Sequence, residues 1–228
     1  MRVPFHKLRK IDLQWLWENN CKAHGHSFLE GHYSCYIREN PDTSPFHERV
    51  GFFDIETSGL AADFAFIFSY CIKSNDGKTY GRVLTPQEIR SGVFDKKLVA
   101  EMCRDLNKFH RVVAHYGGDR RFDCPFSRTR AIKHGVEFPL YKKVLVSDTW
   151  LMAKNKLKLR SNRLAVICEF FGITAKTHPL TPDIWQTASA GKKKSLAYIW
   201  QHNTEDCDSM QKVYYLLEKY CPKSKASI

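Results

Sequence analysis

Two acids separated by a single residue close the apolar run VGFFDIE: Asp54 and Glu56. In a β-strand, residues i and i+2 share a face, so both carboxylates leave the strand side by side. Two like charges about 4 Å apart repel by roughly 4 kcal/mol even at an effective dielectric near 20. Such a pair calls for compensating positive charge. Two further acids could join it. Asp123 lies in HYGGDRRFDCPF, after an apolar strand pattern and a glycine-bearing loop, where it also reads as a helix N-cap. Asp206 lies in HNTEDCDSM, with His202 four residues earlier and therefore on the same helix face. Taken alone, Asp206 is a solvated helix acid beside Glu205 and Asp208, and His202 an ordinary surface or core histidine. Taken together, four ionised carboxylates match the charge of two divalent cations. Cations paired about 3.5–4 Å apart clamp the attacking and leaving oxygens of an in-line phosphoryl displacement.

The pattern of the chain supplies elements to carry these groups. VGFFDIE and FAFIFSYCIK read as strands, and Asp76-Gly77 marks a hairpin into a third strand, KTYGRVL. Leu98, Val99, Met102, Leu106 and Phe109 recur at helical spacing. RVVAH reads as a short buried strand and CPFSRTRAIKHG as a helix stopped by Gly135. VLVSD is a further strand leading into the helix TWLMAKN, where Asp148 reads as the N-cap. Ser161 is placed to cap a helix that ends at Gly172. A basic loop over 176–194 then precedes a long helix from about Ser195 to Tyr220. Three meandering strands followed by helix–strand alternation predict an α/β fold, a mixed sheet flanked by helices. Acids at the end of its first strand fall where such sheets place their sites.

Residues 1–48 differ in composition from the rest of the chain. They hold five of the ten histidines and the stretch ENPDTSPF (39–46), which reads as a linker. CKAHGHSFLEGHYSC contains Cys21-x2-His24 and His32-x2-Cys35, paired spacings that suit a tetrahedral Zn²⁺ site. His26 is an alternative to His24, and a histidine-rich loop with incidental thiols is the plainer reading. A small zinc-binding extension (1–48) ahead of one larger domain (49–228) is the expected organisation. The extension could grip nucleic acid or hold the amino terminus in place.

Lysine and arginine number 36 against 24 acids, a formal charge of +12 that favours a polyanionic partner, nucleic acid first. KNKLKLRSNR and GKKKS could contact phosphates. Tyr116, Phe122 and Trp185 could stack on bases or lie in the core. The eight cysteines are widely spaced and several sit in apolar stretches, as reduced core thiols do. No run of about 18 apolar residues could span a membrane, and the first twenty residues lack the apolar core of a signal peptide. A soluble, cytoplasmic protein is expected.

The acidic segments also resemble a known family, the DEDD exonucleases of the ribonuclease H-like superfamily. FDIETSGL is similar to their first motif, VVAHYGGDRRFDCPF to the second and HNTEDCDSMQKVYYLL to the third. SDTWLMAK and LRSNRLAVICEFFGITAK resemble segments of predicted exonucleases related to family B DNA polymerase proofreading domains. The resemblance covers roughly residues 50–220. It implies a ribonuclease H-like sheet and 3′→5′ hydrolysis of phosphodiester bonds at single-stranded ends, DNA ahead of RNA. Asp54, Glu56, Asp123 and Asp206 would bind two Mg²⁺ or Mn²⁺ ions, and His202 would orient or deprotonate water. Replication or repair proteins would be natural partners. Two departures stand out: histidine rather than tyrosine lies four residues before the last aspartate, and His115-Tyr116 replaces the usual His-Asn. A structure-specific endonuclease with the same carboxylates is an alternative, as is a zinc-bearing nucleic-acid-binding protein that does not cut.

Overall fold

The computed structural model describes residues 10–32, 35–36, 39, 48–173 and 178–228. The chain divides into two compact units, residues 1–49 and 50–228. The first contains helix α1, Lys10–Glu18, and a small core of Leu16, Cys21, Phe28, Cys35 and Tyr36. The expected linker ENPDTSPF falls almost wholly outside the described residues.

The second unit is built on a five-stranded mixed sheet in the order β3-β2-β1-β4-β5. Strand β1 (Val50–Thr57) lies at its centre, antiparallel to β2 (Ile67–Ser74) and parallel to β4 (Arg111–Ala114). Strand β3 (Thr79–Val83) extends the antiparallel side, and β5 (Leu145–Asp148) the parallel side. Residues 226–228 run along the outer edge of β5, where the Val146 N–H donates to the Ala226 carbonyl at 2.8 Å. That contact satisfies backbone groups an edge strand would otherwise expose.

Alternation along β1 separates the two layers. Phe53 and Ile55 enter one core, with Leu98, Val99, Met102 and Leu106 from α3 (Lys96–Leu106) and Cys124 and Phe126 from α4 (Asp123–Lys133). Phe52 enters the other, beneath Cys207, Met210, Val213 and Tyr214 of the 25-residue helix α8 (Lys193–Leu217). Helices α5 (Thr149–Lys156) and α6 (Leu164–Phe170) complete that second layer. Asp54 and Glu56 continue the face that Phe52 begins. They therefore point toward α8.

Several boundaries differ from the sequence expectation. Phe109 reaches the core from the turn before β4, because α3 stops at Leu106. Helix α6 begins at Leu164; the Ser161 hydroxyl accepts the Arg163 N–H at 3.3 Å just ahead of it. The basic segment expected as a loop contains α7 (Pro182–Ser189), started by Pro182 and packed inward through Ile184, Trp185 and Ala188. A short helix not anticipated, α2 (Pro86–Arg90), is nucleated by a capping box between Thr85 and Glu88. Gly135 (φ +66°) and Gly172 (φ +65°) do end their helices in the left-handed region.

One buried ion pair ties α4 to the sheet. Arg130 donates through Nε and a terminal nitrogen to the two oxygens of Asp95, at 2.8 and 2.6 Å, with both residues buried. Asp95 also accepts the Ile67 N–H at the start of β2 at 2.9 Å and meets the His134 ring at 2.8 Å. Burial works to raise the Asp95 carboxyl, but Arg130, the Ile67 N–H and His134 hold it below its ordinary value. Removing the guanidinium would strand a buried charge. Arg130→Ala is expected to lose about 3–5 kcal/mol in chemical denaturation at pH 7. Because folding depresses the Asp95 carboxyl, its contribution is complete above the unfolded carboxylate range and is lost as pH falls through the lower folded value. The deficit of the variant should therefore shrink on acidification, and a deficit constant down to low pH would exclude Asp95 as its source.

Candidate active site

The parallel pairing of β1 with β4 brings the ends of both strands to one edge of the sheet. Beyond β4 the chain turns through Tyr116, at φ +60°, and Gly117 into α4. Asp123 is the first residue of α4, and Phe122 holds the cap position. The carboxyl of Asp123 is buried and accepts the backbone N–H of Ile55, the residue between the two acids of β1. Burial, with the charges of Glu56 and Asp148, pushes it up to about 8. Gly117 makes this seat possible. A Cβ there would lie 1.8 Å from Asp123 Oδ2 and 2.7 Å from the Ala114 Cβ.

Helix α8 presents His202, Asn203 and Asp206 on the face that covers β1, all three buried. Asn203 donates from Nδ2 to Asp54 Oδ2 at 2.6 Å. His202 Nε2 stands 3.4 Å from Glu56 Oε1 and 3.3 Å from Asp206 Oδ2. The other ring nitrogen, Nδ1, is hydrogen-bonded to the His178 carbonyl. A carbonyl can only accept, so Nδ1 carries a proton and Nε2 is the atom turned to the carboxylates. Glu56, His202 and Asp206 offer ligand atoms within 4.8 Å of one another, a grouping that could hold a metal ion. Burial, the neighbouring Cys71, and the charges of Asp54 and Asp206 push the Cys207 thiol up, marking both acids as its neighbours.

Asp54, Glu56, Asp123, Asp206 and His202 are thus brought to one end of the sheet: Glu56 and Asp206 beside His202, Asp123 on the Ile55 N–H and Asp54 on Asn203. Of the other residues named from the sequence, Asp148 takes its expected N-cap position. Asp148 caps α5 through the N–H groups of Trp150 and Leu151, at 2.9 and 3.3 Å. It also accepts the N–H groups of Tyr116 and Gly118, at 3.0 and 3.1 Å, and so clamps the loop ahead of Asp123. Asp208 is paired with Lys73 of β2. His115 turns inward to Thr149 Oγ1 at 2.9 Å and the Asn162 carbonyl at 3.0 Å. Tyr116 is 46% exposed and packs edge-on to Trp150, with the Arg121 guanidinium over both rings. Trp185 and Phe122 pack against the core.

Three contributors escape the sequence reading. Asn203 shares the face of His202 and Asp206, and that spacing is the signal that could have found it. Glu205, named from the sequence only as a neighbour of Asp206, binds the His178 ring at 2.6 Å and its backbone N–H at 3.2 Å. His178 carries no signal at all, because it lies in irregular chain 24 residues before the ring it orients.

The chain matches the RNase_H superfamily over residues 51–218. No curated protein matches it. Among solved structures it is similar to the family B DNA polymerase from the hyperthermophilic archaeon Pyrobaculum calidifontis, with a TM-score of 0.63 and 15% identity. The match covers 78% of this chain and 26% of the polymerase chain, about a quarter of its length. At that identity the likeness is one of fold. The mixed sheet flanked by helices is accordingly ribonuclease H-like. Among the described residues no helix is long and apolar enough to cross a membrane.

The contact at Gly117 gives a direct check on where Asp123 sits. Gly117→Ala is expected to lower stability by about 1–3 kcal/mol through overpacking, read as a fall in melting temperature. Gly118→Ala, whose Cβ would meet nothing nearer than Asp148 Oδ2 at 3.1 Å, should cost less. Equal melting of both variants and the native protein would mean that Asp123 is not seated against this loop.

Proposed function

The chain belongs to the RNase_H superfamily, and from that premise we propose that it is a metal-dependent 3′→5′ exonuclease acting on single-stranded ends, DNA ahead of RNA. The observation that carries this reading is the grouping of acids from β1, α4 and α8 at one strand end, with Glu56 and Asp206 beside His202 Nε2 and Asp123 on the Ile55 N–H. The donors are hard carboxylate oxygens, the set that Mg²⁺ and Mn²⁺ prefer. The structure itself favours added positive charge there, since Asp123 is held protonated well above the ordinary carboxylate range. Asp54, Glu56, Asp123 and Asp206 would hold two such ions. When bound, the cations would stabilise charge developing on the attacking and leaving oxygens of the phosphodiester.

The chain's own residues supply the rest. With Nδ1–H held by the His178 carbonyl, Nε2 is the ring atom able to take a proton from the attacking water. The imidazolium so formed lies beside Glu56 and Asp206, whose charge stabilises it. Asn203 keeps the Asp54 carboxylate oriented through its 2.6 Å hydrogen bond. Glu205 fixes His178 by ring and backbone, and through it the orientation of His202. Lys154, Lys156, Lys158 and Arg160 are exposed, as are Lys192, Lys193 and Lys194. These could hold the phosphates of the strand, with affinity that falls as salt rises. Tyr116, exposed beside the Asp123 loop, could stack on a terminal base.

The test is incubation of matched 5′-labelled DNA and RNA oligonucleotides with Mg²⁺ or Mn²⁺. A ladder of products shortened from the 3′ end is expected. One internal cut would mean an endonuclease, and bound but intact strands a binding protein. Asp54→Ala and Asp206→Ala should each lower the rate by more than the 10–100-fold typical of losing an outer-shell partner, with circular dichroism unchanged. Digestion at the native rate by either would remove that residue from the site. Glu205→Gln should lower kcat by about tenfold with KM unchanged, as expected for a group that acts through His202. A change confined to KM would instead assign Glu205 to substrate binding.

A further inference from the structure

The first unit carries a cluster that the nuclease reading does not use. Cys21 and Cys35 are buried and free of disulfides, and both face His24 and His32. Cys21 Sγ lies 3.2 Å from His24 Nδ1 and 3.7 Å from His32 Nδ1. Cys35 Sγ lies 3.5 Å and 3.8 Å from the same two atoms. Hydrogen bonding alone does not produce this pattern. A ring nitrogen has one in-plane lone pair or one N–H, so it can be directed at a single sulfur. Here each nitrogen faces both sulfurs.

A cation at the centre accounts for all four separations. Tetrahedral zinc with bonds of about 2.3 Å to sulfur and 2.0–2.1 Å to nitrogen places S and N about 3.6 Å apart along each edge. The observed values fall on either side of that length. Thiolate and imidazole are the donors zinc favours, and four protein ligands leave no position open for substrate. We propose that Cys21 Sγ, His24 Nδ1, His32 Nδ1 and Cys35 Sγ bind one structural Zn²⁺ ion. This proposal is independent of the carboxylate site.

Local structure supports the assignment of each ligand. The His24 N–H donates to Cys21 Sγ at 3.2 Å, and the Cys21 N–H donates to the His26 carbonyl at 2.8 Å, closing a tight turn around the first pair. Gly25, at φ +74°, reverses the chain within it. This turn decides between the two candidate histidines. His26 does not face the sulfurs; its Nδ1 lies 3.1 Å from Nε2 of His32, on the far side of that ring. With Nδ1 of His32 turned to the centre, its Nε2–H donates to His26. That contact fixes the tautomer and orientation of the ligand, as outer-shell partners of metal-bound histidines do. Among the described residues the unit's core is five buried side chains packed with Trp15 and Leu29, and small cores of that kind are commonly stapled by a metal.

The experiment is metal analysis and zinc-edge X-ray absorption on the purified full chain. One zinc per chain, in a shell of two sulfurs near 2.3 Å and two nitrogens near 2.0–2.1 Å, is expected. Metal-free protein after exposure to Zn²⁺, or a shell of oxygen and nitrogen only, would overturn the proposal. The second result would place the ion among carboxylates instead. Cys35→Ser should lose stoichiometric zinc, whereas His26→Ala should keep one zinc with affinity weakened roughly 10–100-fold against a competing chelator. Zinc lost as completely from His26→Ala as from Cys35→Ser would make His26 a ligand and overturn its outer-shell role. If Cys35→Ser fails to fold, the native absorption spectrum decides alone.

Discussion

Like charges crowded at the end of one strand are the constraint around which the larger unit is organised. Asp54 and Glu56 share a face of β1 because a strand repeats every two residues. Asp206 and the buried Asp123 approach the same strand end from helices on either side of the sheet. Isolated, these carboxylates would repel one another and resist burial. The fold offsets part of the cost with directed donors: the Asn203 amide on Asp54 and the Ile55 N–H on Asp123. Burial still leaves Asp123 holding its proton far above the usual range.

The acids outside this cluster have different work, set by their surroundings. Asp95 is fully buried, yet a bidentate guanidinium and a backbone N–H hold its carboxyl down. Its partner Arg130 lies on the same helix as Asp123, so the ion pair helps fix where that helix begins. Asp148 gives both oxygens to backbone N–H groups, capping α5 and closing the loop after β4. Glu205 is spent on His178. Residue type alone would not separate these roles, because all three are carboxylates on or beside regular elements.

Two groupings that could hold a metal ion lie in separate units of one chain. Buried cysteine sulfurs with the exposed His24 and half-buried His32 make a soft set of the kind suited to holding a short segment together. Carboxylate oxygens form a harder and more open set, suited to cations that must also meet a phosphate. The two sets share no residue.

The sequence by itself determined the features that depend on local periodicity. The paired acids of β1, the shared face of His202 and Asp206, the glycine stops at 135 and 172 and the paired Cys/His spacings all arise from how chain geometry repeats. It did not determine which groups meet across space. The helix at Pro182–Ser189 was hidden in a basic segment because its apolar face is only three residues wide and is defined by what it packs against. Asn203 and Glu205 looked like neighbours of a functional acid until the fold placed Asp54 and His178 beside them. Spacing favoured His24 over His26 beside Cys21, but only the turn at Gly25 shows His24 Nδ1 at the sulfurs and His26 against Nε2 of His32. Local periodicity is a property of the backbone and can be read along the chain. Which donor faces which acceptor depends on packing between segments up to about 150 residues apart, and only the tertiary structure decides that.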